Sequence, residues 1–224
     1  SPGKTRPDSP DKTSRSASAP AWPDSPPVEA PPDKIKKTDG DAATNIRTFF
    51  SWSYHSLPAP ERRLFRLLGL HPGPDISIEA ACAYDGRSPA ETRRSLGALV
   101  GTHLLEMPSF FDRYQYHDLI REFAASCAKA DESPTERAAA DLRMVEHYLN
   151  AANQAHKMLY PGSPTAPELA PTSDFGRIAF RDPDHAKSWF DQERTTLSAV
   201  IRYSAERGNH AHAWRLADPV AVIF

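Results

Sequence analysis

The sequence predicts a mainly α protein, and three features of its pattern indicate this class. Two capping boxes, at 88–91 and 133–136, each place a serine before a proline and a glutamate three residues after the serine. After position 45, apolar residues recur at helical spacing through most of the chain. The short stretches 104–107 and 114–116 have the pattern of strands, so we expect one small hairpin among the helices.

Residues 1–44 differ in composition from the rest of the chain. They are rich in Pro, Ser, Asp and Lys, and their only large apolar side chains are Trp22, Val28 and Ile35. A segment with so little apolar surface cannot offset the entropy that is lost when its backbone becomes ordered. We therefore predict a disordered tail or linker over 1–44.

The segment 45–132 is predicted to be a first domain of short helices. One helix from Asn45 ends before Pro58, a second runs from about Pro60 to Gly69, and a third covers 79–84 after an extended or helix-entry segment at 76–78. The capping box at 88–91 starts the next helix, and its inward stripe is predicted to carry Leu96, Leu99, Val100 and His103. Helices followed by a two-stranded hairpin are typical of a winged-helix domain.

The second strand of the hairpin passes into a helix at His117 and Asp118. Asp118 is predicted to be the N-cap of that helix, whose apolar face would carry Leu119, Ile120 and Phe123. An imidazole at the end of a strand could donate a hydrogen bond to an anion such as a phosphate. The alternative is structural, with His117 a satisfied histidine and Asp118 a simple cap.

The segment 133–224 is predicted to be a second, helical domain. The capping box at 133–136 starts a helix that runs to about Tyr160, and a proline-rich loop over 161–171 follows it. Another helix is expected from Asp184 to Arg207, and a further one from about 210 up to Pro219. Antiparallel helices of this kind stack in pairs into solenoids.

Several stretches resemble a known family: 51–54 (SWSY), 63–73 (RLFRLLGLHPG), 103–106 (HLLE) and 114–123. They are similar to the winged-helix domain of actinobacterial STAND ATPases, the AfsR-like regulators that combine an NB-ARC module with tetratricopeptide repeats. The segment 188–197 looks like the opening of the repeat array in the same regulators. The resemblance implies a regulatory fragment, a winged helix followed by a truncated repeat domain, that acts in signal transduction and transcriptional regulation.

The resemblance also implies a role for the strand-to-helix junction. Residues 116–118 match the family's Met-His-Asp motif, with Tyr116 in place of the methionine. The family's histidine contacts the β-phosphate of ADP, so His117 would latch the inactive state of the parent protein and Asp118 would orient the turn. The nucleotide, ADP or ATP, would be bound by an NTPase module of that parent protein, and the helical repeats would bind a protein partner.

The chain itself has no recognisable catalytic or nucleotide-binding constellation. Residues 3–5 (GKT) match only the end of a P-loop, and no complete GxxxxGK[ST] loop or Walker B strand is present. We therefore expect no enzyme activity and no cofactor in this chain.

A winged helix could instead read DNA, which makes a DNA-binding transcription regulator with a helical effector or dimerisation region the main alternative. In that case the helix after Ser88 would be a recognition helix with Arg93 and Arg94 in the groove, and Arg113 would touch the DNA backbone from the wing. The simpler interpretation of two adjacent arginines is that they lie on a solvent-exposed face of the helix.

Charge and composition limit the remaining possibilities. The net charge of −2 gives no sign of a general nucleic-acid or membrane surface. No apolar run reaches transmembrane length and no signal peptide is present, so we expect a cytoplasmic protein without a membrane partner. Cys82 and Cys127 fall in apolar helical patterns and are expected to be buried free thiols, and His210 and His212 have no partner for a metal site. Because the chain begins at Ser1 without a methionine, we expect it to be a fragment.

Overall fold

The computed structural model describes residues 50–108, 112–163, 175–221 and 223. The predicted tail, the first residues of the predicted helix from Asn45, part of the connection between the two strands of the predicted hairpin and most of the proline-rich loop lie outside these ranges. The described residues belong to one compact unit. Within the described ranges the architecture is mainly helical, as predicted, with eight helices and a small two-stranded sheet.

The elements follow one another in this order: α1 (described over 50–56), α2 (Ala59–Leu68), β1 (Asp75–Ser77), α3 (Ile78–Asp85), α4 (Pro89–Gly101), β2 (Arg113–Gln115), α5 (Asp118–Asp131), α6 (Pro134–Leu159), α7 (Pro183–Glu206) and α8 (His210–Ala221).

Several helices begin or end where local sequence signals predict. Both capping boxes are formed: the hydroxyl of Ser88 accepts a hydrogen bond from the backbone of Glu91, and that of Ser133 accepts one from the backbone of Glu136. Helix α3 ends at Gly86, whose φ of 73° lies in the left-handed region that glycine adopts without steric cost.

The strand pairing differs from the predicted hairpin. β2 pairs antiparallel with β1, and the stretch 104–107 contributes only one bridge, between Glu106 and Gln115. The reason is that the backbone N–H groups of Leu104 and Leu105 both donate to the carbonyl of Leu99, at 3.0 and 3.2 Å, and both leucine side chains are buried. Because these two N–H groups are engaged in the turn that follows α4, they cannot form a ladder with β2.

Two other local predictions are wrong. His103 was expected to face inward, but α4 ends at Gly101 and His103 is exposed with a φ of 56°, so the helical periodicity no longer applies to it. Helix α8 was expected to end before Pro219, but it continues to Ala221. A proline within a helix removes one backbone hydrogen bond and crowds the carbonyl four residues earlier, and α8 accepts this cost in its last turn.

The hydrophobic core is shared by residues on both sides of position 132. Helix α6 packs against α3, α7 and α8, and α2 packs against α5. The tyrosines at the centre are satisfied: the Tyr84 hydroxyl donates to the Asp141 carboxylate at 3.1 Å, and the Tyr148 hydroxyl lies 3.1 Å from Nε2 of His71. Phe190 brings α7 into the same core. The sheet and α5 are therefore held on a framework that includes the C-terminal helices.

Candidate functional site

The predicted site lies where β2 passes into α5. His117 is the N-cap of α5, with an extended backbone (φ −68°, ψ 141°), and its carbonyl accepts hydrogen bonds from Ile120 and Arg121 at 2.9 and 3.0 Å. Asp118 is therefore the first helical residue and not the cap, a shift of one position from the prediction. Its carboxylate still lies in the first helical turn, where the helix dipole favours negative charge.

The side chains of His117 and Asp118 are exposed. The imidazole of His117 makes no capping hydrogen bond to the turn that follows it. Its two nitrogens are thus presented at the surface, where a group outside the chain could reach them.

The apolar face of α5 is only partly as predicted. Ile120 is buried and Phe123 is half-buried, but Leu119 is 44% exposed. Adjacent residues of a helix point in directions about 100° apart, so Leu119 faces away from the core when Ile120 faces into it. An exposed apolar side chain therefore lies close to His117 in sequence.

Tyr116 explains how the junction is held in place. Its hydroxyl donates to the carbonyl of Phe65 in α2 at 2.8 Å, and its ring meets the Phe65 ring edge-on, with 5.5 Å between ring centroids. Burial raises the pKa of Tyr116 well above its usual value, so the hydroxyl stays protonated and can donate. A methionine at this position would lack the hydrogen bond that ties the strand end to α2.

Arg121 lies one helical turn after His117 and holds the loop over 71–74. Its guanidinium donates to the carbonyls of His71 and Gly73, the latter at 2.7 Å. Burial and the nearby charge of Arg121 lower the pKa of His71 to about 3, so His71 is neutral. The loop is thereby fixed to α5 on one side and to Tyr148 of α6 on the other.

Arg113 is placed very differently from its predicted position on a wing. It is only 9% exposed, and its guanidinium binds two carboxylates. Asp75 of β1 accepts at 3.1 and 2.5 Å, and Glu193 of α7 accepts at 2.6 and 3.2 Å. Although burial lowers it, hydrogen bonds to these two carboxylates raise the pKa of Arg113 above its usual value. A guanidinium engaged in this way argues against the predicted contact with a DNA backbone.

The other two residues of the DNA-binding alternative are on the surface. Arg93 and Arg94 are exposed on α4, and Arg93 pairs with the carboxylate of Asp112 at 3.1 Å. That pairing offsets part of the positive charge that a phosphate backbone would need. The structure therefore does not bring Arg93, Arg94 and Arg113 together on one basic surface.

The remaining candidates give no further site. In the part of the chain that the structure describes, no group of three or more His, Cys, Asp or Glu side chains could hold a metal ion, and His210 is exposed at the start of α8. Cys82 is buried as predicted, whereas Cys127 is only half-buried, and both are free thiols. No helix within the described ranges has the length and hydrophobicity that crossing a membrane requires.

Two residues near the site, Arg121 and Glu193, were not predicted from the sequence, although the position of each one could have indicated its role. Arg121 lies four positions after His117, which places the two on one side of α5. Glu193 lies between Phe190 and Leu197 on the buried stripe of α7, where a carboxylate is unexpected and requires a partner.

No family model and no solved structure matches the chain. Two curated relatives do, and both are named regulatory protein AfsR. The protein from Streptomyces coelicolor is 36% identical over 170 residues, 74% of this chain, and the protein from Streptomyces griseus is 35% identical over 164 residues, 73% of this chain. Most of this chain is AfsR-like in sequence.

The AfsR-like segment is short relative to these proteins, since the chain spans only 17% of the length of each curated relative. The similarity confirms the resemblance to AfsR regulators at this general level. The assignments of a winged helix and of tetratricopeptide repeats stay predictions.

Proposed function

We propose that this chain is the relay segment of a larger AfsR-like regulator that acts in transcriptional regulation. In this proposal, residues 45–132 form a winged helix that docks on a separate NTPase module of the parent protein, and the helices after 132 open a repeat domain that binds a protein partner. The similarity to two regulatory proteins along about three quarters of the chain supports a regulatory role.

The observation that carries the proposal is the exposed imidazole of His117 at the start of α5. A histidine side chain there can donate to a phosphate oxygen only while the two modules are docked. The identity of the bound nucleotide then biases the position of the domain, because a contact made in only one arrangement stabilises that arrangement. ADP would in this way favour the docked, inactive state.

The surroundings of His117 suit such a contact. Tyr116 and Arg121 fix the residues on either side of it to α2 and to the loop over 71–74. Leu119 adds an exposed apolar side chain that a docked module could cover. In this proposal the chain supplies the contact and the neighbouring module supplies the nucleotide site and any hydrolysis, in the cytoplasm.

The test is to replace His117 by Ala in the full-length protein and to measure the release of bound ADP. A hydrogen bond to a charged group contributes about 1.5–3 kcal/mol, so we expect ADP to dissociate about tenfold to a hundredfold faster, with higher basal output. The matched control is His210→Ala, because His210 is also exposed but begins α8. Unchanged ADP release in the His117→Ala protein would remove the latch from the proposal.

A further inference from the structure

We propose that Glu193 is a positioning residue for His117, through which the C-terminal helix α7 sets the strand that leads to the site. The inference deepens the proposed function and rests on it. Glu193 and Arg113 are 80 positions apart in sequence, yet their side chains meet at 2.6 Å between α7 and β2. β2 ends at Gln115, two residues before His117, so this contact acts on the backbone that carries the imidazole.

The charges at this contact are unbalanced, and that imbalance makes the contact sensitive to change. One guanidinium faces two carboxylates, and Glu193 is only 1% exposed. Burial raises the pKa of Glu193, whereas the hydrogen bonds from Arg113 act against that rise. Arg113 also has Asp75 as a partner, so it stays paired if the Glu193 carboxylate moves away. The contact between β2 and α7 can therefore break without leaving an unpaired buried cation.

A second contact from α7 reaches the same site along another route. Thr196, one turn after Glu193, packs so closely on Gly73 that a Cβ added to that glycine would lie 2.7 Å from the threonine side chain. Arg121 of α5 holds the carbonyl of Gly73 at 2.7 Å. Helix α7 therefore contacts both the strand that precedes His117 and the loop that is bound one turn after it.

The packing leaves room for α7 to change its contact. A cavity of about 300 Å³ borders the Arg113–Glu193 pair, and Arg177, Trp189 and Gln192 also line it. A carboxylate at the edge of such a space can turn without forcing its neighbours into the core. A partner that moves α7 would then loosen β2 and, with it, His117. In the proposed function, this couples the helical repeats to the nucleotide latch.

The first experiment is hydrogen exchange on this chain with Glu193→Gln, a substitution of the same size that removes the charge. We expect the amides of residues 113–121 to exchange about tenfold or more faster, because one charge-assisted contact is lost. The control is Asp141→Asn. Asp141 is also a buried carboxylate that joins helices, through Tyr84 and Tyr203, but it does not touch β2 or the loop over 71–74. Unchanged exchange at 113–121 in Glu193→Gln, or an equal rise in Asp141→Asn, would overturn the inference.

The second experiment uses the full-length protein and asks whether Glu193 acts through His117. Glu193→Gln should speed the release of ADP in the wild-type background and add nothing in the His117→Ala background. An undiminished effect in that background would mean that Glu193 acts by another route, and the inference would be wrong. If His117→Ala alone leaves ADP release unchanged, the latch fails instead, and the exchange measurement by itself decides whether α7 controls the junction.

Discussion

Helix α5, which begins at the candidate site, crosses α2 at a point where only glycine fits. An ideal Cβ on Gly69 would lie 2.5 Å from the Cβ of Ala124 and 2.8 Å from its backbone carbon. Carbon atoms pack best at about 3.5–4.0 Å, so Gly69→Ala requires the backbone of α5 to move by about 1 Å. The φ of Gly69 is −62°, which alanine adopts readily, so the conflict is one of space and not of backbone conformation.

The size of the effect follows from this geometry. Overpacking of a rigid contact costs about 1–3 kcal/mol, and the higher helix propensity of alanine returns less than about 1 kcal/mol of that. The atoms nearest to the added Cβ include backbone atoms of Ala124 and Ala125, so little of the strain can be relieved by rotating a side chain. We therefore expect a cost in the upper part of that range, about 2–3 kcal/mol, and a net loss of about 1–2 kcal/mol after the gain in helix propensity. For a unit of this size each kcal/mol lowers the melting temperature by about 2–4 °C, so we expect a decrease of about 2–8 °C.

The matched control is Gly97→Ala in the middle of α4, where nothing lies within 4 Å of the added Cβ. There the helix propensity of alanine acts alone, and we expect about 0.5–1 kcal/mol of stabilisation. Thermal unfolding of both variants, monitored by circular dichroism, should show a lower melting temperature for Gly69→Ala and a higher one for Gly97→Ala. If Gly69→Ala is as stable as the parent chain, α2 and α5 do not approach each other this closely, and the reasoning is refuted.

Two further predictions concern titratable groups. Burial lowers the pKa of His147 to about 4 and that of His71 to about 3, both below the unfolded value of about 6.5. The unfolded chain therefore takes up protons first as the pH falls, so stability is complete above about pH 6.5 and decreases by about 2 kcal/mol per histidine between pH 7 and 5. Urea midpoints at the two pH values should show this loss, and it should be smaller in His147→Gln; an unchanged difference would contradict the assignment. Because Cys82 is buried and Cys127 is half-buried, a thiol reagent should label Cys127 first, as peptide mass spectrometry would show; equal labelling would mean that the Cys82 site opens readily.

Helix boundaries could be predicted because their signals are local. The serine, proline and glutamate of a capping box satisfy backbone groups within four residues, so α4 and α6 begin where the sequence indicates. The junction at His117 was found for the same reason, since a strand pattern and a helix pattern meet there. The cap itself was displaced by one residue, because His117 and Asp118 both have short-range features of a helix start and only the backbone conformation distinguishes them.

Strand partners and buried charges could not be predicted in the same way. β2 pairs with β1, and the side chains of Leu104 and Leu105 are buried in the core. That burial depends on which apolar side chains lie nearby in the folded chain. Arg113 has the sequence context of a solvent-exposed wing residue, and only the fold places Asp75 of β1 and Glu193 of α7 against it.

The sequence by itself determined the mainly helical class, the helix starts and a histidine at the end of a strand, because each depends on residues within one or two turns of one another. The tertiary structure decided which strand pairs with β2, which arginine is engaged and which helix supports the site. Those outcomes depend on contacts between residues as far apart as Arg113 and Glu193, which no local pattern encodes. His117 was visible in the sequence, and its connection to α7 became visible only in the fold.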